Sequence, residues 1–146
     1  MIFQPKIKVS DLDDLTQVLY QEANEEITKV VENCIETEMV NFPAYYYYYY
    51  GLMVTSKYRF QRSQTEYEEA KSEFLNSKRA GSIKLSVAAG EDLANAQSSL
   101  RELHKLATNR ELIYAFMKGI CNTLEHKKDM LVQLSANKRQ EIKINQ

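Results

Sequence analysis

Positive charge and aromatic rings alternate along Lys57, Tyr58, Arg59, Phe60 and Arg62. That mixture suits a single-stranded nucleic acid, because cations neutralise phosphates while rings receive unstacked bases. On a helix Arg59 and Arg62 share a face and Lys57 points away from Arg59. Exposed basic residues also serve solubility and ion pairing, and their spacing does not choose between these roles. Just upstream lies an unbroken run of tyrosines, Tyr45 to Tyr50. Successive helical side chains project about 100° apart, so these rings cannot all enter one core. Tyr45 and Tyr49 fit a core stripe; Tyr46, Tyr47, Tyr48 and Tyr50 must meet another helix, another subunit or a ligand. Tyr46, Tyr50 and Tyr58 therefore join Lys57, Arg59 and Arg62 as candidate nucleic-acid contacts. The same rings would also suit an oligomer interface, where Tyr offers a large area with a polar tip.

Catalytic and metal-binding patterns are missing. The sequence has no Gly-rich phosphate loop, no His-Glu-x-x-His and no Cys pair at metal spacing. His104 and His126 lack the Glu three residues earlier that a carboxylate-bridged di-iron bundle requires. The expectation is a protein that is not an enzyme and needs no cofactor. Cys34 and Cys121 are too few for a disulfide framework and read as small buried hydrophobes in a reducing, cytoplasmic setting. No window approaches the roughly 18 apolar residues of a membrane span.

The elements that must carry these residues are helices. Four Gly and two Pro in 146 residues leave little material for the turns of a β fold. An all-α chain is expected, a single helical domain with an acidic N-terminal helix within 1–40, a Tyr-rich helix over 43–79 and a long C-terminal helix over 86–143. In the first, Leu12, Leu15, Leu19, Ala23, Ile27 and Val30 recur at helical steps. Between Asp11 and Val40 nine acidic residues face Lys29 alone, and Glu36 and Glu38 near its end suggest a basic neighbour. A break is expected at Asn41-Phe42-Pro43, where Asn41 can cap and Pro43 fits a first turn.

Phe42, Tyr45, Tyr49, Leu52, Ser56, Phe60, Ser63, Tyr67, Ala70 and Phe74 then form one stripe at heptad-like spacing. Ala80-Gly81 should end this helix, Ser86 should cap the next, and Gly90 is a possible interruption. Leu93, Ala96, Leu100, Leu103, Ala107, Tyr114, Met117, Cys121, Leu124, Leu131 and Leu134 make the last stripe. Further basic groups stand at Arg101, His104 and Lys105, and at Lys127, Lys128, Lys138 and Arg139, where the acidic residues of the first helix can pair. The simplest architecture is an antiparallel hairpin or coiled coil of the two long helices with the N-terminal helix added. Its thinness leaves apolar seams uncovered, so a homo-oligomer is expected.

Ser56-Lys57-Tyr58-Arg59-Phe60, with Lys84-Leu85-Ser86-Val87 and the segment Ile113 to Leu134, resembles the UvsY-like family of phage recombination mediators. The resemblance spans roughly residues 45–135; the acidic first helix and the tyrosine run are not placed by it. It implies a helical, ring-forming protein in which Lys57 and Arg59 match a Lys-x-Arg pair that contributes to single-stranded DNA binding. It further implies loading of a recombinase onto single-stranded DNA already coated with single-strand-binding protein, both proteins being partners. The other reading of the residues is a non-enzymatic scaffold or adaptor that binds only proteins.

Overall fold

A computed structural model of the chain describes Glu25, residues 35–81 and residues 84–145. Three helices follow in order: α1 (Ile35–Ala80), α2 (Val87–Ala96) and α3 (Ser98–Ile144), with no strand among the described residues. The expected N-terminal helix lies largely outside the described residues, as does Cys34. Glu25 is helical and exposed, and residues 35–40 open α1.

Two helix boundaries differ from those expected. No break occurs at Asn41-Phe42-Pro43, because α1 continues through Pro43. An interior proline lacks the N–H for the ladder and crowds the carbonyl four residues back, at a cost of about 3 kcal/mol. Phe42, Tyr45 and Tyr49 beside it are buried. Burial of an aromatic side chain contributes about 1.5–3 kcal/mol each, enough to hold the turn helical.

The expected helix over 86–143 is instead divided at Gln97, which takes an extended conformation (φ -76, ψ 118). Its N–H donates to the Ala94 carbonyl at 3.2 Å and its own carbonyl accepts from Arg101 at 3.0 Å, closing α2 and opening α3 together. Ala94 and Leu100 are both buried. Six residues apart on a straight helix, they would point about 120° apart, so the step at Gln97 re-phases the chain and buries both. The same re-phasing exposes Leu93 and Ala96, which their spacing alone assigns to the core stripe.

Other punctuation follows the expected chemistry. The Ser86 hydroxyl accepts from the Ala89 N–H at 3.2 Å, an N-cap. Helix α1 stops at Ala80, and the Gly81 N–H donates to the Lys78 carbonyl at 3.3 Å. Gly90 does not interrupt α2. It is buried, and a Cβ there would lie 3.4 Å from Leu75 Cδ2, an ordinary van der Waals contact between α2 and α1.

The chain divides into two compact units. One contains the described residues up to Thr55 and those from Ala115 on; the other is Ser56–Tyr114. In the first, α1 supplies Ile35, Phe42, Tyr45, Tyr49 and Leu52 to the core, and α3 supplies Met117, Ile120, Cys121, Leu124 and Leu131. The buried core of the second is smaller in side-chain volume: Ser56, Ser63, Ala94, Leu100, Ala107 and Ile113. Within each unit, rising numbers on α1 meet falling numbers on α3. In the first, Glu36 meets Lys138, Glu38 meets Lys127 and Tyr46 meets Glu125. In the second, Phe60 meets Tyr114, Ser63 meets Arg110 and Tyr67 meets His104.

Candidate nucleic-acid interface

In the first unit the tyrosine run winds fully around α1, and each ring takes the surroundings its angle dictates. Tyr45 and Tyr49 are buried. Tyr46 is half-buried: its hydroxyl donates to Glu125 Oε1 at 2.8 Å. Its ring stacks on Phe42 at 5.7 Å and on Tyr50 at 6.3 Å between centroids. The hydrogen bond to Glu125 favours the neutral phenol, and with burial it pushes the Tyr46 pKa up to about 12. Tyr46 is thus a seam residue between α1 and α3. Tyr47 and Tyr50 stay exposed.

In the second unit the basic turn of α1 carries Lys57, Tyr58, Arg59 and Arg62. Lys57 is exposed and makes no ion pair or hydrogen bond among the described residues. Tyr58 beside it is 63% exposed, and Arg59 is half-buried. Arg62 pairs with Glu66 at 2.9 Å, four residues on. An exposed pair of this kind adds little to stability, so a phosphate can displace the carboxylate at little cost. Neither Arg101 nor Lys105 is buried, and Lys105 pairs with Glu102 at 3.2 Å. His104 lies against the Tyr67 ring at 4.9 Å.

The third basic group is mostly committed inside the first unit. Lys127 Nζ lies 3.3 Å from Glu38 Oε2 and 5.3 Å from the centre of the Tyr45 ring. Lys138 reaches Glu36 at 3.6 Å. The basic neighbours expected for Glu36 and Glu38 are therefore these two lysines. Lys127 is also buried, which its residue type alone does not suggest. A signal for it exists in the sequence, since Lys127 stands three residues after Leu124 and four before Leu131, inside the core stripe.

No group of three or more His, Cys, Asp or Glu side chains able to hold a metal ion occurs among the described residues. Cys121 is a free, buried thiol, and burial, with Glu125 nearby, pushes its pKa up to about 11. No described helix is long and apolar enough to cross a membrane. Comparison with protein-family models, curated proteins and solved structures finds no match.

Proposed function

We propose that this chain is a single-stranded-DNA-binding recombination mediator of phage type. It would help a recombinase load onto DNA coated with single-strand-binding protein, without catalysing a reaction itself. One observation carries the reading: Lys57 is exposed and unengaged among the described residues, beside the exposed ring of Tyr58. Cation and ring stand together where a backbone phosphate and an unstacked base need them. Arg59 and Arg62 extend the positive charge over the next turn, and the resemblance at Lys57 and Arg59 points the same way. Tyr46 and Tyr50, which stack on each other in the first unit, are further candidate base contacts, and Tyr50 is exposed.

The reading includes an antiparallel pairing of α1 with α3, self-association, and action in the host cytoplasm. Self-association matters energetically because a chain of net charge -1 has little long-range attraction for DNA. Several copies raise the effective concentration of one weak basic turn for the next along the strand. Binding of a labelled oligonucleotide by the wild type and by Lys57→Ala/Arg59→Ala tests the assignment. A scaffold or adaptor function is the second reading, favoured by the exposed apolar face of α1 around Tyr47. A protein of that kind would leave the oligonucleotide unbound at low ionic strength.

A further inference from the structure

The second unit holds a basic turn that the DNA-binding reading does not use. Between Phe74 and Gly90 the sequence carries Lys78, Arg79 and Lys84 and no acidic residue. All three cations are exposed, and none forms an ion pair among the described residues. Lys78 Nζ lies 5.4 Å from the centre of the Phe74 ring. Of the flanking acids, Glu73 precedes Lys78 and Arg79 by five and six residues, off the three- and four-residue steps at which helical ion pairs form. Glu91 is held by Lys71 at 2.7 Å, a pair that ties α2 to α1. Compensation of the helix dipole explains only part of the cluster. Lys78 and Arg79 stand in the last turn of α1, where cations oppose the negative helix end. Lys84 lies in no helix and has no such role. Just beyond it, Val87 is 82% exposed at the start of α2.

We propose that Lys78, Arg79, Lys84 and Val87 form a docking surface for an acidic peptide segment of a partner protein, one that carries aspartate or glutamate together with an aliphatic side chain. The surface is separate from the basic turn at Lys57 and stands whether or not Lys57 and Arg59 contact DNA. Two observations choose a peptide over a nucleic-acid strand. No exposed ring accompanies these cations, so an unstacked base finds no platform there; the exposed aromatic residues among those described are Tyr47, Tyr50 and Tyr58. Between the two basic turns, α1 carries Glu66, Glu68, Glu69 and Glu73 against Lys71 alone, so a phosphate backbone running from Arg62 to Lys78 would be repelled along the way. The carboxylates of a peptide meet the cations directly, and its aliphatic side chain removes Val87 from water.

Fluorescence anisotropy of a labelled peptide built from aspartate, glutamate and leucine, titrated with the full chain, tests the surface. The wild type should bind this peptide at low ionic strength and release it as salt is added. The same peptide with asparagine and glutamine in place of its acids should stay unbound. Lys84→Glu should weaken binding by roughly tenfold or more, because it sets like charge against the peptide. Lys84 lies outside the helices, so this variant should keep the wild-type helix content by circular dichroism. Arg79→Gln/Lys84→Gln should weaken binding in the same direction without reversing a charge, and Lys57→Ala/Arg59→Ala should bind the peptide as the wild type does. Equal peptide affinity in the wild type and both turn variants would overturn the proposal, as would a peptide that the wild type ignores. Loss of oligonucleotide affinity in the turn variants with peptide affinity kept would assign the surface to nucleic acid, and loss of self-association alone would assign it to a second copy; either result overturns the proposal too. The oligonucleotide reads the DNA-binding assignment and the peptide reads this surface, so each can fail without the other.

Discussion

Lys127 of α3 and Glu38 of α1 form an ion pair 3.3 Å long, with their side chains only 2% and 12% exposed. Placed among Tyr45, Leu124 and Leu131, this pair sits where a coiled seam ordinarily carries leucine. Removing two charges from water is costly, and the attraction between them offsets that cost without adding much net stability. What the pair does supply is direction, because any shift of α3 along α1 leaves a buried charge alone. Glu38→Ala is expected to destabilise the protein by about 3 kcal/mol, since the lysine then stays buried without its carboxylate. Glu38→Leu combined with Lys127→Met should recover most of that loss. Urea unfolding of Glu38→Leu, Lys127→Met and their combination measures the coupling, and simple additivity would show that the two residues act independently.

Pro43 offers a gain instead of a loss. It is exposed inside α1, on a side that the core does not use. Pro43→Ala restores an N–H to the helix ladder and relieves crowding at the Met39 carbonyl. Stabilisation of about 1–3 kcal/mol is expected. Thermal unfolding followed by circular dichroism checks this; a lower midpoint would mean that the proline is needed for the path of α1.

Alkaline pH should destabilise the first unit through two groups that fold in their neutral forms. Both pKa values are raised in the folded chain: Cys121 from 9.0 to about 11, and Tyr46 from 10.0 to about 12. Their contribution is fully present below the unfolded values and is lost as pH rises through the folded ones, so stability should fall between about pH 9 and 12. Tyr46→Phe should flatten the upper part of that fall. In a Cys34→Ser background, Cys121 should resist a maleimide at neutral pH and react at once in denaturant. Rapid labelling of the native protein would contradict the burial of that thiol.

Much of the helical pattern is legible in the spacing of apolar residues. Phe42, Tyr45, Tyr49, Leu52, Ser56 and Ser63 fall on one stripe by spacing alone, and all six are buried. Ser86 caps its helix as its side chain suggests. The two boundaries that differ share a cause, which is that packing overrides local signals. Pro43 is a helix breaker by intrinsic preference, yet the buried rings around it keep the helix going. Gln97 is no breaker at all, and only the need to bury both Ala94 and Leu100 sets the step there. The candidate site is legible as composition and not as surroundings. Spacing requires a partner for Tyr46 and allows an acidic one for Lys127, but only the fold singles out Glu125 and Glu38, 79 and 89 residues away.

The most direct test of the DNA-binding reading is the salt dependence of single-stranded oligonucleotide binding by the wild type and by Lys57→Ala/Arg59→Ala. Each phosphate contact on a single strand contributes about 0.7 to the slope of log affinity against log salt. Loss of both side chains should lower affinity at least tenfold at low salt and reduce the slope by about 1.4, with helix content and assembly unchanged. Equal affinity and equal slope for the two proteins would contradict the assignment of Lys57 and Arg59 to DNA.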